Sequence, residues 1–406
     1  MIEKNNLSKR WWILISGVAT MLFAGIIYAW SILKTPFSAE LGYQPSVLSM
    51  NFTLTMCFFC IGGFSSGRLV RHLGTCATIS IAGILAGLGF MLTSFLGVGN
   101  ELLLYFTYSL LAGFGIGVAY IVIISTVNAW FPERRGFSSG ALMMGFGAST
   151  LLLGKMADAL FASQVGWRNT YVIIGIALAV VVVLSSLVIK APSEDVRLPR
   201  KKQNIKARKE NFETKDCTPA EMVRRFTFWR AFFAFVCVTA VGSSVISFAR
   251  DLALFVGANA AFASTLVGVL AIFNGLGRII TGFVFDIIGR RVTMISASIL
   301  TICAAAVTLL SVNINSLPLA TIGLCLVGLS YGTAPTISSA FSAAFYGQKH
   351  FATNLSITNF NLMVASFIAT ACASLQTSSG GYTAPFILLL LLSFVALLLN
   401  FSIKKP

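Results

Sequence analysis

Charge is what this chain has least of. Its 406 residues include 13 Asp and Glu and 29 Lys and Arg, 10% in all, where soluble domains carry about 25%. Histidine is scarcer still: His72 and His350 are the only two, both in polar breaks between apolar runs. A Ser-His-Asp grouping or a histidine-ligated metal has nothing to be built from. The eight cysteines are scattered, and the one C-x-x-C spacing, Cys57-Phe-Phe-Cys60, lies inside an apolar run with no second pair to complete a metal site. They read as packing thiols. The glycine runs Gly113-x-Gly-x-Gly117 and Gly136-x-x-x-Gly140, continuing to Gly145 and Gly147, lack the strand and the Lys-Ser/Thr ending of a phosphate loop. Small residues at such spacing let helix backbones approach. No catalytic residue, metal or cofactor is expected.

What abounds is apolar: 57% of the residues, in long runs. A hydrocarbon core about 30 Å thick takes roughly 20 apolar residues per helix, and breaks at charge, Pro and Asn divide the chain into twelve such spans. They run over 11–33, 47–71, 76–97, 102–127, 137–162 and 168–190, then 228–256, 261–285, 292–312, 317–345, 352–376 and 382–403. The run from Trp11 to Leu33 is too long for the apolar core of a cleaved signal peptide, about 7–15 residues, and reads as the first span. Residues 191–227 are charged and contain Pro, so they read as a solvated cytoplasmic linker between an N-terminal six-helix bundle (1–190) and a C-terminal one (228–406). The net charge of +16 is spread over short loops, as cytoplasmic loops of membrane proteins require, so a nucleic-acid partner is not expected. Placing both termini in the cytoplasm puts all but five of the 29 Lys and Arg on that side; the five are Lys34, Lys155, Arg168, Arg250 and Arg278. The expected setting is the cytoplasmic membrane, multi-pass, with the lipid bilayer as partner.

The chain also repeats itself. A shift of 215 residues carries Gly67 and Gly74 onto Gly282 and Gly289, and Gly113 and Gly117 onto Gly328 and Gly332. One offset serves two helix pairs, superposes the spans and leaves the linker between the copies. Two parallel halves of this kind support alternating access by rocking around a central site.

After span eight, Gly282-Phe-Val-Phe-Asp286-Ile-Ile-Gly289-Arg290-Arg291 resembles the cytoplasmic signature loop of the major facilitator superfamily. In the equivalent loop after span two, Gly67 to Gly74, Arg71 stands where that signature has aspartate. Tyr28-Ala-Trp-Ser, Asn128-Ala-Trp-Phe-Pro-Glu-Arg-Arg-Gly136, Thr218-Pro-Ala-Glu-Met222 and Phe273-Asn-Gly-Leu-Gly-Arg278 are similar to the oxalate/formate antiporter branch, which is related to monocarboxylate transporters. The resemblance covers essentially the whole chain. It implies an all-α integral membrane fold of twelve helices in two pseudo-symmetric six-helix bundles. It also implies a secondary transporter that works as a monomer, with Asp286 and Arg290 of the signature loop as gating candidates.

Arg278 is the most informative single residue. Eight residues before Asp286 at about 1.5 Å each, it sits roughly 12 Å deeper, near the midplane. A guanidinium there costs from about 2.5 to well over 10 kcal/mol unless it faces water or an anion. Pairing with a carboxylate or a helix dipole stays open as an alternative, though no obvious acidic partner shares its helix. One turn earlier is Asn274, where resemblance to proton-linked monocarboxylate carriers implies aspartate. Arginine offers a carboxylate paired, planar donors. Resemblance to the oxalate-type members implies a partner lysine on span eleven, where this chain has Leu362, and one cation suits a monocarboxylate of the formate, lactate or pyruvate class.

Tyr28, Tyr120, Asn128, Asn274, Tyr331 and, more weakly, Asn361 are candidates to complete the substrate site, each equally readable as a packing residue. Lys155 and Asp158, three apart on span five, read as a structural pair along one helix face, with an outer gate as the alternative. Arg250 and Asp251 point about 100° apart near the outer end of span seven; at that depth they can snorkel, or Asp251 serves as an outer gate residue or the acceptor of a coupled proton. The expectation is a carrier of small organic anions, antiporter or proton symporter. A dicarboxylate exchanger, an exporter of drugs or other solutes, and a transporter-like metabolite sensor stay open.

Overall fold

The computed structural model describes residues 2–132, 135–192, 216–347 and 349–403, without the side chains of residues 2–8, 135, 136, 286 and 352. Among the described residues, eleven apolar helical runs are long enough to cross a bilayer, and they make twelve helices because one, Pro45–Thr93, turns at Gly74. In chain order these are α1 (Lys9–Ala39), α2 and α3 (the arms of Pro45–Thr93 before and after Gly74), α4 (Glu101–Trp130), α5 (Phe137–Phe161) and α6 (Gly166–Val188). The second set is α7 (Phe226–Phe255), α8 (Ala260–Ile288), α9 (Arg290–Asn313), α10 (Leu317–Tyr346), α11 (Thr353–Ser379) and α12 (Thr383–Ser402). The expected all-α membrane architecture is what forms. Helices satisfy their own backbone polar groups, which is the condition for standing in lipid. Their outer faces are greasy: Leu102, Leu398 and Phe283 are 81%, 69% and 67% exposed. Successive helices reverse direction, so one face of the bundle carries both termini and the other, the far face, carries neither.

The 215-residue repeat is geometric as well as sequential. Gly74 and Gly289 both turn the chain with positive φ, 79° and 86°, a conformation that favours glycine. A Cβ on Gly117 would collide with the Phe59 carbonyl, and one on Gly332 with the Asn274 carbonyl, so both partners are shifted by the same offset. Gly113 against Thr55 is likewise matched by Gly328 against Leu270, and Gly62 against Phe114 by Gly277 against Leu329. The glycines thus seat α4 on α2 and α10 on α8 in one register.

The halves pack along two seams, among other contacts. Where α2 meets α11, hydroxyls do the joining: Thr53 donates to the Ser366 carbonyl at 2.7 Å and shares a hydrogen bond with the Thr370 hydroxyl at 2.5 Å. Where α5 meets α8, small residues do it, with Gly147 against the Ala271 carbonyl.

Residues 193–215 of the expected linker lie outside the described residues, and its last part is more than a solvated tether. Thr218 and Glu221 form a capping box on a short helix, Pro219–Arg224. The Cys217 N–H donates to the Tyr346 carbonyl at 3.0 Å, Asn354 donates to the Cys217 carbonyl at 3.1 Å, and Met222 is fully buried. This segment docks onto the end of α10 and the start of α11, and α7 begins at Phe226.

Gly332→Val would force a branched side chain against the backbone of Asn274 and Arg278. The expected cost of such overpacking is about 1–3 kcal/mol, read as a lower Tm of the detergent-purified protein. Ile322→Val, on the lipid-facing side of the same helix, leaves Tm unchanged.

Candidate functional site

Arg278 lies in the middle of α8 and is 3% exposed. Its Nε donates to Asn274 Oδ1, one turn earlier, at 3.3 Å, while its Nη1 and the Asn274 Nδ2 have no partner. No carboxylate among the described residues lies within ion-pair distance of it. Around it stand three buried phenols from both halves. Tyr28 comes from a 3₁₀ turn in α1, Gly25–Ala29, which is drawn onto α5 because Gly25 has no Cβ to meet the Phe146 carbonyl. Its hydroxyl shares a 3.2 Å hydrogen bond with that of Tyr331 on α10. Tyr331 in turn lies against Gly242 of α7, where a Cβ would strike the ring. Tyr120 of α4 packs its ring on Phe59 and Phe146, 5.2 Å from each. The guanidinium is within interaction range of all three phenols. The result is a cation in an aromatic cage, held by one neutral acceptor. Its Nη1 has no partner and no described carboxylate balances its charge, and a buried charge in that condition is costly until an anion is supplied.

Not every sequence candidate joins this group. Asn128 instead clasps α4 to α5 near the termini face, donating to the Ser139 hydroxyl at 2.7 Å and accepting from Ser138 at 2.6 Å. In this arrangement its side chain pairs the two helices and does not join the group around Arg278. Asn361 is buried but committed, accepting from Thr239 at 3.0 Å and donating to the Thr358 carbonyl at 2.6 Å. Arg290 lies with its guanidinium 4.0 Å from the ring centre of Phe345, at the end of α10, and the Asp286 side chain lies outside the described residues.

The far face holds what the sequence only half disclosed. Lys34 at the end of α1 bonds Asp251 of α7 at 2.7 Å and also donates to the Ser247 carbonyl at 3.2 Å. Asp158 of α5 pairs with Arg250 of α7 at 3.9 Å, so the expected Lys155–Asp158 pair along one helix does not form. Adjacent residues of α7 thus reach two different helices of the other half. Divergent by about 100°, they cannot face each other, but each can face a neighbour. Lys34 was legible only as a leftover intramembrane cation, and its partner needed the fold.

Twelve membrane helices in matched halves, closed over a buried cation, define a membrane transporter and not an enzyme. The chain belongs to the Major Facilitator Superfamily, whose family model matches residues 13–370 and, overlapping, 237–406. It is 29% identical to the uncharacterized MFS-type transporter YhjX of Escherichia coli over 90% of this chain and 88% of that one. It is 28% identical to the oxalate:formate antiporter of Oxalobacter formigenes over 71% of this chain and 66% of the antiporter. Human monocarboxylate transporter 14 is 27% identical over 42% of this chain and 33% of its own length. The fold matches that of the Escherichia coli xylose transporter XylE in its partially occluded, inward-open conformation with a TM-score of 0.72, covering 97% of this chain and 98% of that one at 12% identity.

The two ion pairs make the far face testable. Asp251→Asn removes one of them, and a cysteine introduced at Ser247 is then expected to react about fivefold faster with a charged thiol reagent than in the parent protein, the change that about 1 kcal/mol of closing energy gives. Unchanged reactivity would show that the Lys34–Asp251 pair does not hold this face shut.

Proposed function

We propose that this chain is a secondary carrier of small monocarboxylates, of the formate, lactate or pyruvate class, and that it moves them across the cytoplasmic membrane by alternating access. The observation that carries the reading is Arg278: buried, unpaired by any described carboxylate, with Nη1 free inside a cage of Tyr28, Tyr120 and Tyr331. A carboxylate fits the guanidinium fork, and the phenols add hydrogen bonds and walls. The names of the antiporter and of the monocarboxylate transporter among its relatives point to the same class of cargo. Oxalate exchange is the second reading, favoured by that antiporter. Against it stands the count of cations: Leu362 is a partly buried apolar residue, and among the described residues the cage holds Arg278 as its cation. One positive charge balances one carboxylate.

The termini face is assigned to the cytoplasm on the distribution of Lys and Arg. The far face is then the outer one, and the Lys34–Asp251 and Asp158–Arg250 pairs close the outer mouth. Transport runs as the two halves rock about the seams, exposing the cage to one side and then the other. Whether the carrier exchanges anions or takes a proton along turns on Asp251, the carboxylate best placed to change its charge as the outer mouth opens.

Counterflow in proteoliposomes, with a panel of labelled acids, tests the cargo. Lactate, pyruvate or formate is expected to exchange well and oxalate poorly. Arg278→Ala is expected to lower uptake at least about 100-fold, with Arg278→Lys retaining part of it. Good oxalate exchange without the monocarboxylates, or full uptake by Arg278→Ala, would overturn the reading. If Asp251 carries a coupled proton, Asp251→Asn flattens the dependence of uptake on an imposed pH gradient; an unaltered pH dependence removes Asp251 from that role.

A further inference from the structure

Beside the tyrosine cage, toward the far face, lies a small void. Tyr28, Asn274, Thr150, Ile246, Val267 and Ala271 line it, and it has room for about one water molecule or one methyl group. Two polar atoms on its lining residues have no partner, Asn274 Nδ2 and Thr150 Oγ1, and both residues are 1% exposed. For Asn274 the orientation is set by Arg278: the oxygen takes the guanidinium Nε, so the amide nitrogen is the end left over. For Thr150 the lack of a partner departs from the habit of this chain. Thr20, Thr55, Thr93 and Thr308 each return the hydroxyl to the carbonyl four residues earlier on the same helix. Thr150 instead opens a π-helical turn, Thr150–Gly154, a widening that recurs at functional sites. A donor pair next to a free cation, with an apolar pocket the size of one methyl, is a recognition pattern in its own right.

We propose that this void is the subsite for the terminal methyl of the transported acid, with the oxygen of the carbon next to the carboxylate at its edge. With the carboxylate on Arg278, an oxygen on the adjoining carbon accepts from Asn274 Nδ2 and Thr150 Oγ1. The terminal methyl, the one group for which there is room, lies against Val267, Ile246 and Ala271. The inference rests on Arg278 holding a carboxylate. It narrows the cargo to three-carbon 2-oxo and 2-hydroxy acids. Formate leaves the donors and the void unfilled, propionate brings no acceptor, and branched or longer acids exceed the space.

The experiment is competitive counterflow in proteoliposomes with pyruvate, propionate and formate as the probes. The wild-type carrier is expected to favour pyruvate over propionate, and the isosteric Thr150→Val to lower that ratio about tenfold, as loss of a buried hydrogen-bond partner does. Thr150→Ser, which keeps the hydroxyl, is expected to restore the ratio, which separates recognition from packing. Ala271→Val fills the void and is expected to lower the ratio of pyruvate to formate. The subsite is overturned, and the void assigned to a structural water, if Thr150→Val and Ala271→Val leave both ratios unchanged while Arg278→Ala still abolishes uptake. The cation reading survives that outcome. Uptake indifferent to Arg278→Ala overturns both.

Discussion

A guanidinium held at the middle of a bilayer without a carboxylate partner among the described residues is the constraint around which the rest of this molecule is arranged. The hydrogen bond from Arg278 Nε to Asn274 fixes the direction of the cation but does not neutralise it. In hydrocarbon such a charge is tolerated only inside protein or against an anion. The fold accordingly brings phenols from α1, α4 and α10 onto it and walls them with Phe59 and Phe146. The close approaches that make this possible are glycine contacts: Gly25 on Phe146, Gly242 on Tyr331, and Gly332 on the backbone of Asn274 and Arg278. Each is a place where one methyl group would push the cage apart.

The duplicated scaffold bears this out by what it does not duplicate. The offset that matches the glycine contacts of the two halves carries Arg278 onto Gly63 and Asn274 onto Phe59. In the N-terminal half, Phe59 supplies a ring to Tyr120, and Gly63 leaves space beside Ile121. In the C-terminal half the same two positions supply the cation and its acceptor. Mechanical symmetry and chemical asymmetry therefore share one set of positions. Equal halves can rock, and unequal linings put the cation of the centre, among the described residues, on one wall.

Much of this was legible in the sequence, for physical reasons that also mark where legibility ends. Helix number follows from apolar run length, and the split of Pro45–Thr93 into two spans follows from polar residues around Gly74, because both are local properties. Arg278, Tyr28, Tyr120, Asn274 and Tyr331 were readable because polar groups at membrane depth need a reason. Asn128 and Asn361 carried the same signal and spent it on neighbours, Ser138 and Ser139 for one, Thr239 and Thr358 for the other. Depth along one helix does not say which way a side chain turns. Asp158 shows the same limit: Lys155 at helical spacing is a local partner, and Arg250 from the opposite half is the one that forms. Thr150 left no trace at all, since a threonine in a helix ordinarily spends its hydroxyl on its own backbone.

The cage and the far mouth are tied together by the helices they share. Tyr28 and Lys34 are both on α1, six residues apart, while Gly242, Ser247 and Asp251 lie along α7. A movement of α1 away from α7 that breaks the Lys34–Asp251 pair therefore acts on the Tyr28–Tyr331 bond at the same time. The mouth pair is partly exposed, with Asp251 at 41%, and exposed pairs are worth about 0–1 kcal/mol. The buried phenol bond adds about 0.5–1.5 kcal/mol. Neither is strong enough to lock the carrier, and a gap of a few kcal/mol between two states keeps the minor one populated. On the proposed reading the anion then does the sorting. With the cage filled, Arg278 is neutralised and the sealed arrangement that every crossing must pass through is favoured. With the cage empty, that same arrangement encloses an uncompensated charge. Loaded crossings outpace empty ones on this ground alone, so exchange of one acid for another is the easier cycle. Net movement needs a second charge change, the role proposed above for Asp251.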